Sequence, residues 1–172
     1  MKNPRYLTKS RFKLALGCET KIFYTNKKEY PDQHVDDSFL MSLAEGGFQV
    51  GELAKMYHPG GVEIAFGNYD DMVDKTNKLL ALDKVVLYEA TVRYENLFIR
   101  IDVLVKEGNN IKLIEVKAKS YDGVDSDGFL DGHGRISSGW KEYVYDVAFQ
   151  KLVLKKAFPH VCLQKKLDTA KL

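Results

Sequence analysis

Leu97-Phe98-Ile99-Arg100-Ile101-Asp102-Val103-Leu104-Val105 and Ile111-Lys112-Leu113-Ile114-Glu115-Val116-Lys117-Ala118-Lys119 read as two neighbouring β-strands. Both are rich in β-branched residues and both are bounded by turn formers. Lys106-Glu107-Gly108-Asn109-Asn110 joins them and has the composition of a hairpin connection. A loop of two or four residues centred between Gly108 and Asn109 sets Asp102 opposite Glu115 and Arg100 opposite Lys117. Facing Cα atoms in such a pair lie roughly 4.5–5.5 Å apart. Side chains alternate along a strand, so Glu115 and Lys117 share a face. One face carries Ile99, Ile101, Val103 and Val105 beside Ile114, Val116 and Ala118, and is expected to pack under helices. The other carries Phe98, Arg100, Asp102 and Leu104 beside Leu113, Glu115, Lys117 and Lys119, and is mixed.

Working outward from the hairpin, Val85 to Val92 reads as the preceding strand. Before it, Asn68 or Asp70 opens a helix through Leu82, with Met72, Val73, Leu79 and Leu80 inward. Val62 to Phe66 reads as a short strand. Helical spacing at Val50, Leu53, Ala54 and Tyr57 ends at His58-Pro59-Gly60-Gly61. Asp37 or Ser38 caps an earlier helix with Phe39, Leu40, Leu43 and Ala44 on its buried face, which Gly46-Gly47 is expected to interrupt. Thr8 or Ser10 caps a first helix running to about Tyr24, with Cys18 as a small packing residue. After the hairpin, a Gly/Asp-rich stretch from Tyr121 to Ser138 leads to a long helix from about Gly139 to Ala157 and a final strand at Val161 to Leu163. Helices, three strands, a helix and a strand predict a sheet under helical cover, α/β or α+β.

Composition narrows the classes. The 172 residues suffice for one domain with a core, and 45% hydrophobic with 29% charged residues is ordinary for a globular protein. A net charge of +2 gives no global basic signal, so a nucleic-acid ligand needs a local patch. No apolar run is long enough to span a membrane, and Met1 to Tyr6 lacks the apolar segment of a signal peptide. A cytoplasmic location is the default expectation. Two cysteines, Cys18 and Cys162, suggest neither a disulfide framework nor a zinc ribbon.

The plain reading of the mixed hairpin face is a solvated sheet surface with ordinary charges. Against it stands the register, which sets two like charges directly opposite each other, an unfavourable pairing. A divalent cation turns that repulsion into attraction and keeps both carboxylates ionised. Hard oxygen ligands suit Mg²⁺, which keeps several waters and needs only one or two carboxylates besides substrate phosphate. A bound cation lowers the pKa of water and stabilises charge on phosphate oxygen, and a lysine beside it positions the water or neutralises developing charge.

Ile101-Asp102 followed by Glu115-Val116-Lys117 resembles the D…ExK signature of the PD-(D/E)xK nucleases. The opening Tyr6-Leu7-Thr8-Lys9-Ser10-Arg11-Phe12, with Cys18 a little later, looks like the first helix of RecB-like nucleases. Gly46-Gly47-Phe48-Gln49-Val50-Gly51-Glu52-Leu53-Ala54 is similar to their early helical motif, and Tyr145-Asp146-Val147-Ala148-Phe149-Gln150-Lys151-Leu152-Val153-Leu154 to their closing helix. The resemblance runs from about Tyr6 to Leu154 and points to an uncharacterised bacterial branch. It implies an α/β fold with a restriction-endonuclease-like core, a central mixed β-sheet flanked by α-helices, as a single domain over residues 1–172. Nothing after Leu163 reads as a closing element, as in the N-terminal part of a longer protein.

The resemblance also implies roles. Asp102 and Glu115 are the expected ligands of Mg²⁺ or Mn²⁺, with the Val116 carbonyl as a further ligand. Lys117 acts on the nucleophilic water. Glu52 is the acidic residue offered by the early motif, and Gln150, with Tyr145, lines the site from the last helix. Glu89 is a weaker candidate. Many RecB-like enzymes carry a histidine four residues after a glycine of the early motif, where this chain has Gly51 after Gly47. Iron–sulfur relatives use four cysteines, so no iron–sulfur cluster is expected from two. The implied activity is hydrolysis of phosphodiester bonds in nucleic acid, foremost as a DNA exonuclease, with partner domains or helicase-type proteins as companions. The alternative is a non-catalytic module of the same fold that binds nucleic acid or protein. A purely structural protein ranks last.

Other motifs carry less. Asp122-Gly123-Val124-Asp125-Ser126-Asp127-Gly128 fails as an EF-hand, because neither end of the loop supplies a carboxylate. His133 and Arg135 in the following Gly-rich loop, and His58 at a helix end, have structural readings. Lys141, Lys151, Lys155, Lys156, Lys165 and Lys166 form either a phosphate-binding or a solvated face. No P-loop is present, which argues against ATP-driven activity within this chain.

Overall fold

The computed structural model describes residues 5–25, 27–31, 38–118 and 129–169. The protein is mixed α/β, with β1 (Leu7–Thr8), α1 (Lys9–Gly17), α2 (Thr20–Tyr24), α3 (Ser38–Tyr57), β2 (Val62–Glu63), α4 (Tyr69–Leu80), β3 (Lys84–Tyr94), β4 (Leu97–Glu107), β5 (Asn110–Lys117), α5 (Ser138–Ala157) and β6 (Cys162–Thr169). All six strands enter one sheet in the order β2-β3-β4-β5-β6, and β1 pairs with β4 off this path. β3, β4 and β5 form an antiparallel meander, while β2, β6 and β1 join in parallel. The parallel β5–β6 pair requires a crossover, which α5 supplies. Asp37, Lys119 and the calcium-like stretch 122–128 lie outside the described residues, as do the side chains proposed for the buried face at 38–45 and the side chains of Lys165 and Lys166.

The β4–β5 hairpin closes with a two-residue loop, since Glu107 pairs with Asn110. Gly108 takes φ 56° there, the left-handed region that glycine enters without steric cost. The ladder runs back through Val105↔Lys112 and Leu104↔Leu113 to Val103↔Ile114, the register expected from the sequence, and ends there. Asp102 and Glu115 are thus the next residues along, at the point where the strands part. In place of a further backbone pair, the Val116 N–H donates to Asp102 Oδ2 at 2.7 Å.

The simple two-face division of the hairpin needs correction at the same point. Ile99 and Ile101 do not share a cluster with Val103. They join Leu104, Leu113, Ala90 and the α5 residues Val147, Val153 and Leu154. Val103 and Ile114 instead pack with Tyr88 and with Ala54 of α3. The alternation slips by one residue at Asp102. The β3–β4 pairs Tyr88↔Val103 and Ala90↔Ile101 flank the step, and Glu89 opposite takes φ 57°. Such a kink re-aims a side chain that regular pleating would send elsewhere. Both faces of the sheet are buried here, α5 covering one and α3 the other.

Two helical expectations change, as do the reading of Cys18 and the length of the final strand. α3 runs unbroken through Gly46 and Gly47, because Val50 and Ala54 are buried in its second half and tertiary packing overrides a local glycine cost. The first helix stops at Gly17, where Cys18 turns extended (φ −169°, ψ 119°), and α2 starts afresh. Cys18 is exposed and so is no packing residue. The final strand is longer than read, reaching Thr169. α4 follows the expectation: Asn68 Oδ1 accepts from the N–H groups of Asp70 and Asp71, and Met72, Val73 and Leu80 are buried. No described helix is long and apolar enough to cross a membrane.

Candidate metal centre

β1 pairs with β4 only at Leu97 and Phe98, on the edge that β5 has left. Thr8 caps α1, its Oγ1 accepting from the Arg11 N–H at 3.3 Å, and the next residue, Lys9, is therefore delivered into the gap between β4 and β5. Its Nζ lies 2.8 and 3.1 Å from the two oxygens of Glu115 and 3.8 Å from Asp102 Oδ1. One cationic atom thus reaches both carboxylates. Lys117 Nζ also approaches Glu115 Oε1, at 2.6 Å, and Asp146 Oδ2 at 3.4 Å. It also sits 5.7 Å from the centre of the Tyr143 ring. Gln150, one turn after Asp146 on α5, donates from Nε2 to Glu115 Oε2 at 2.5 Å. Lys13, one turn after Lys9 on α1, lies 3.7 Å from Asp146 Oδ2.

Electrostatics follow from burial. Glu115 is wholly buried, which alone pushes its carboxyl up, yet Lys9 and Lys117 pull it below the usual value. Burial pushes Asp102 up to about 6, against Lys9 and with Glu115. Asp146 is also raised by burial, opposed by Lys13 and Lys117. Burial lowers Lys9, but Asp102 and Glu115 more than offset it and the net shift is upward. Asp146 Oδ1 and Oδ2 and Gln150 Oε1 have no hydrogen-bond partner among the described residues.

Of the sequence-derived candidates, Asp102, Glu115, Lys117 and Gln150 converge. Val116 is beside them, with its N–H on Asp102. Glu52 does not join: it is exposed and its Oε1 accepts from Lys55 at 2.7 Å, which also bonds Glu63. Glu89 pairs with Arg100 at 3.3 Å. Tyr145 is exposed, and its neighbour Asp146 is the buried residue. Glu52, Glu89 and Asp102 nonetheless line one cleft of about 490 Å³, together with Lys117 and the exposed Phe48 and Phe66. A larger opening of about 840 Å³ beside α1 and α2, lined by Leu14, Lys21, Tyr24, Lys28 and Tyr30 among others, gathers no carboxylate from the described residues. The loop residues His133 and Arg135 hold a local turn, both donating backbone N–H groups to Asp131 Oδ1 at 2.9 Å.

Sequence reading missed Lys9, Lys13 and Asp146. A signal existed in their spacing: Lys9 and Lys13 are four apart on one helix, and so are Asp146 and Gln150 on another, so each pair shares a face. No group of three or more His, Cys, Asp or Glu side chains fit to hold a metal occurs among the described residues. Two carboxylates reached by one cation match the small protein-ligand set of Mg²⁺, which completes its shell with water and substrate oxygen. Asp102 and Glu115 are hard oxygen donors of the kind such a cation takes. Comparisons with protein-family models, curated proteins and solved structures found no match for this chain.

Proposed function

We propose that this chain is a Mg²⁺- or Mn²⁺-dependent phosphodiesterase acting on nucleic acid, foremost a DNA exonuclease of the RecB-like PD-(D/E)xK type with a restriction-endonuclease-like core. The observation that carries the reading is the convergence of Asp102 and Glu115 on one cation position, with Lys117 in contact with Glu115, where β4 and β5 part. Asp102 and Glu115 hold the metal, and the Val116 carbonyl is the further ligand that the family resemblance supplies. The cation, when bound, lowers the pKa of a water and neutralises phosphate oxygen. Lys117, held between Glu115 and Asp146, directs its ammonium protons at the attacking water or a phosphate oxygen. Gln150 fixes the Glu115 carboxylate through Nε2. Phe48 and Phe66, both exposed beside the cleft, offer stacking surface for unpaired bases.

Incubation of the purified protein with end-labelled single- and double-stranded DNA and with RNA tests this. Cleavage is expected with Mg²⁺ or Mn²⁺ and not with EDTA, and Lys117→Ala is expected to lower the rate by about 10²–10³ with the fold intact. Absence of metal-dependent cleavage on every substrate, or full activity in Lys117→Ala, contradicts the reading. One observation favours the alternative, a non-catalytic binding module: Lys9, Lys13 and Lys117 already balance the charges of Asp102, Glu115 and Asp146 without a metal. Under that alternative, DNA binding survives EDTA and no cleavage occurs.

A further inference from the structure

Glu115 is wholly buried, and its two oxygens are engaged by Lys9, Lys117 and Gln150. Of these three, only Lys9 also forms an ion pair with Asp102, at 3.8 Å. A divalent cation that joins Asp102 to Glu115 must therefore take the place that the Lys9 ammonium fills. We infer that Lys9 is the protein's own cation at this centre and that a divalent metal binds by displacing it. The inference rests on the proposed metal-centre reading and adds a gate to it.

Charge and reach both support displacement. Three ammonium groups, of Lys9, Lys13 and Lys117, face three carboxylates, of Asp102, Glu115 and Asp146, so the centre is balanced as it stands. Adding a doubly charged ion beside a retained ammonium creates a strong like-charge contact in a poorly screened site. Lys117 is braced by Asp146 and by the Tyr143 ring as well as by Glu115, and Lys13 pairs also with the exposed Glu142. The partners of the Lys9 ammonium are the two carboxylates that the metal would take. Its side chain is 23% exposed and stands at the first residue of α1, so its flexible four-carbon stem has a route to solvent. In the metal-free protein the same ammonium relieves the repulsion between Asp102 and Glu115.

Mn²⁺ titration by calorimetry of wild type, Lys9→Met and Lys9→Gln tests the gate, with Glu115→Gln as the control that removes a ligand. Gln retains a donor for Glu115 if Met unfolds the protein. If the Lys9-withdrawn state occupies about a tenth of the metal-free ensemble, removing the ammonium tightens Mn²⁺ binding about tenfold. Equal or weaker binding by the Lys9 variants, beside measurable binding by wild type, overturns the gate and leaves the metal centre standing. No binding by wild type or by either Lys9 variant overturns both. A second measurement uses wild type alone: the Lys9 amine, mapped by mass spectrometry after brief labelling with an amine-reactive reagent, is expected to become more reactive when Mn²⁺ is added. Unchanged reactivity at saturating Mn²⁺ also overturns the gate.

Discussion

Burial lifts the Asp102 carboxyl from the ordinary 3.8 to about 6, while Glu115, deeper still, is held low by Lys9 and Lys117. An acid with a raised folded-state pKa keeps its proton longer in the folded than in the unfolded chain. Between about pH 4 and 6 the folded state then binds more protons, and the stability owed to this group falls as pH rises through that window. Below the window Asp102 is protonated in both states and contributes no difference. Urea unfolding of metal-free wild type and Asp102→Asn between pH 4 and 7 is therefore expected to show wild type losing on the order of 2 kcal/mol relative to the variant as pH rises. A constant difference between the two curves contradicts this. At this scale the sequence revealed the charges on strands that had no need of them, Asp102, Glu115 and Lys117, because a charge in an apolar run stands out. It concealed Lys9, Lys13 and Asp146, because a charge on a helix is ordinary until the opposing helix face is known.

The hairpin register was legible because turn chemistry and strand length agree: Gly108-Asn109 fixes the loop, and the loop fixes Val103↔Ile114. The kink at Asp102 was not legible. Ile99, Ile101, Val103 and Val105 are all apolar, both faces of the sheet are covered, and so a slip of one residue leaves no trace in the pattern. α3 shows the converse, a local signal overridden by packing. In this helix a Cβ added at Gly46 or Gly47 meets nothing within 4 Å, so replacing either by Ala is expected to raise stability by about 0.5–1 kcal/mol. Gly61 differs, since a Cβ there would lie 2.4 Å from Tyr88 Cζ and the Gly61 N–H bonds the Tyr88 hydroxyl at 3.1 Å. Gly61→Ala is expected to cost about 1–3 kcal/mol. Thermal melts of the three variants check these signs, and stabilisation by Gly61→Ala contradicts the packing described.

Over the whole molecule, the centre exists because three distant segments meet at one gap in the sheet. β1 docks on β4 where β5 has departed, α1 starts there with Lys9, and α5 crosses over between β5 and β6 with Asp146 and Gln150 facing in. Lys9 and Glu115 are 106 residues apart in the chain, and no local pattern encodes that meeting. The resemblance to RecB-like nucleases named the hairpin and the last helix as site walls; Asp102, Glu115, Lys117 and Gln150 come together there, while Tyr145 is exposed. It also offered Glu52 from the early helix, which lies along the same cleft but is held by Lys55. The most direct test is anomalous diffraction from crystals soaked in Mn²⁺. One peak coordinated by the carboxylates of Asp102 and Glu115, with the Lys9 ammonium withdrawn, is the predicted result. Both carboxylates still held by Lys9, with no peak between them at saturating Mn²⁺, would contradict the metal centre on which the proposed function stands.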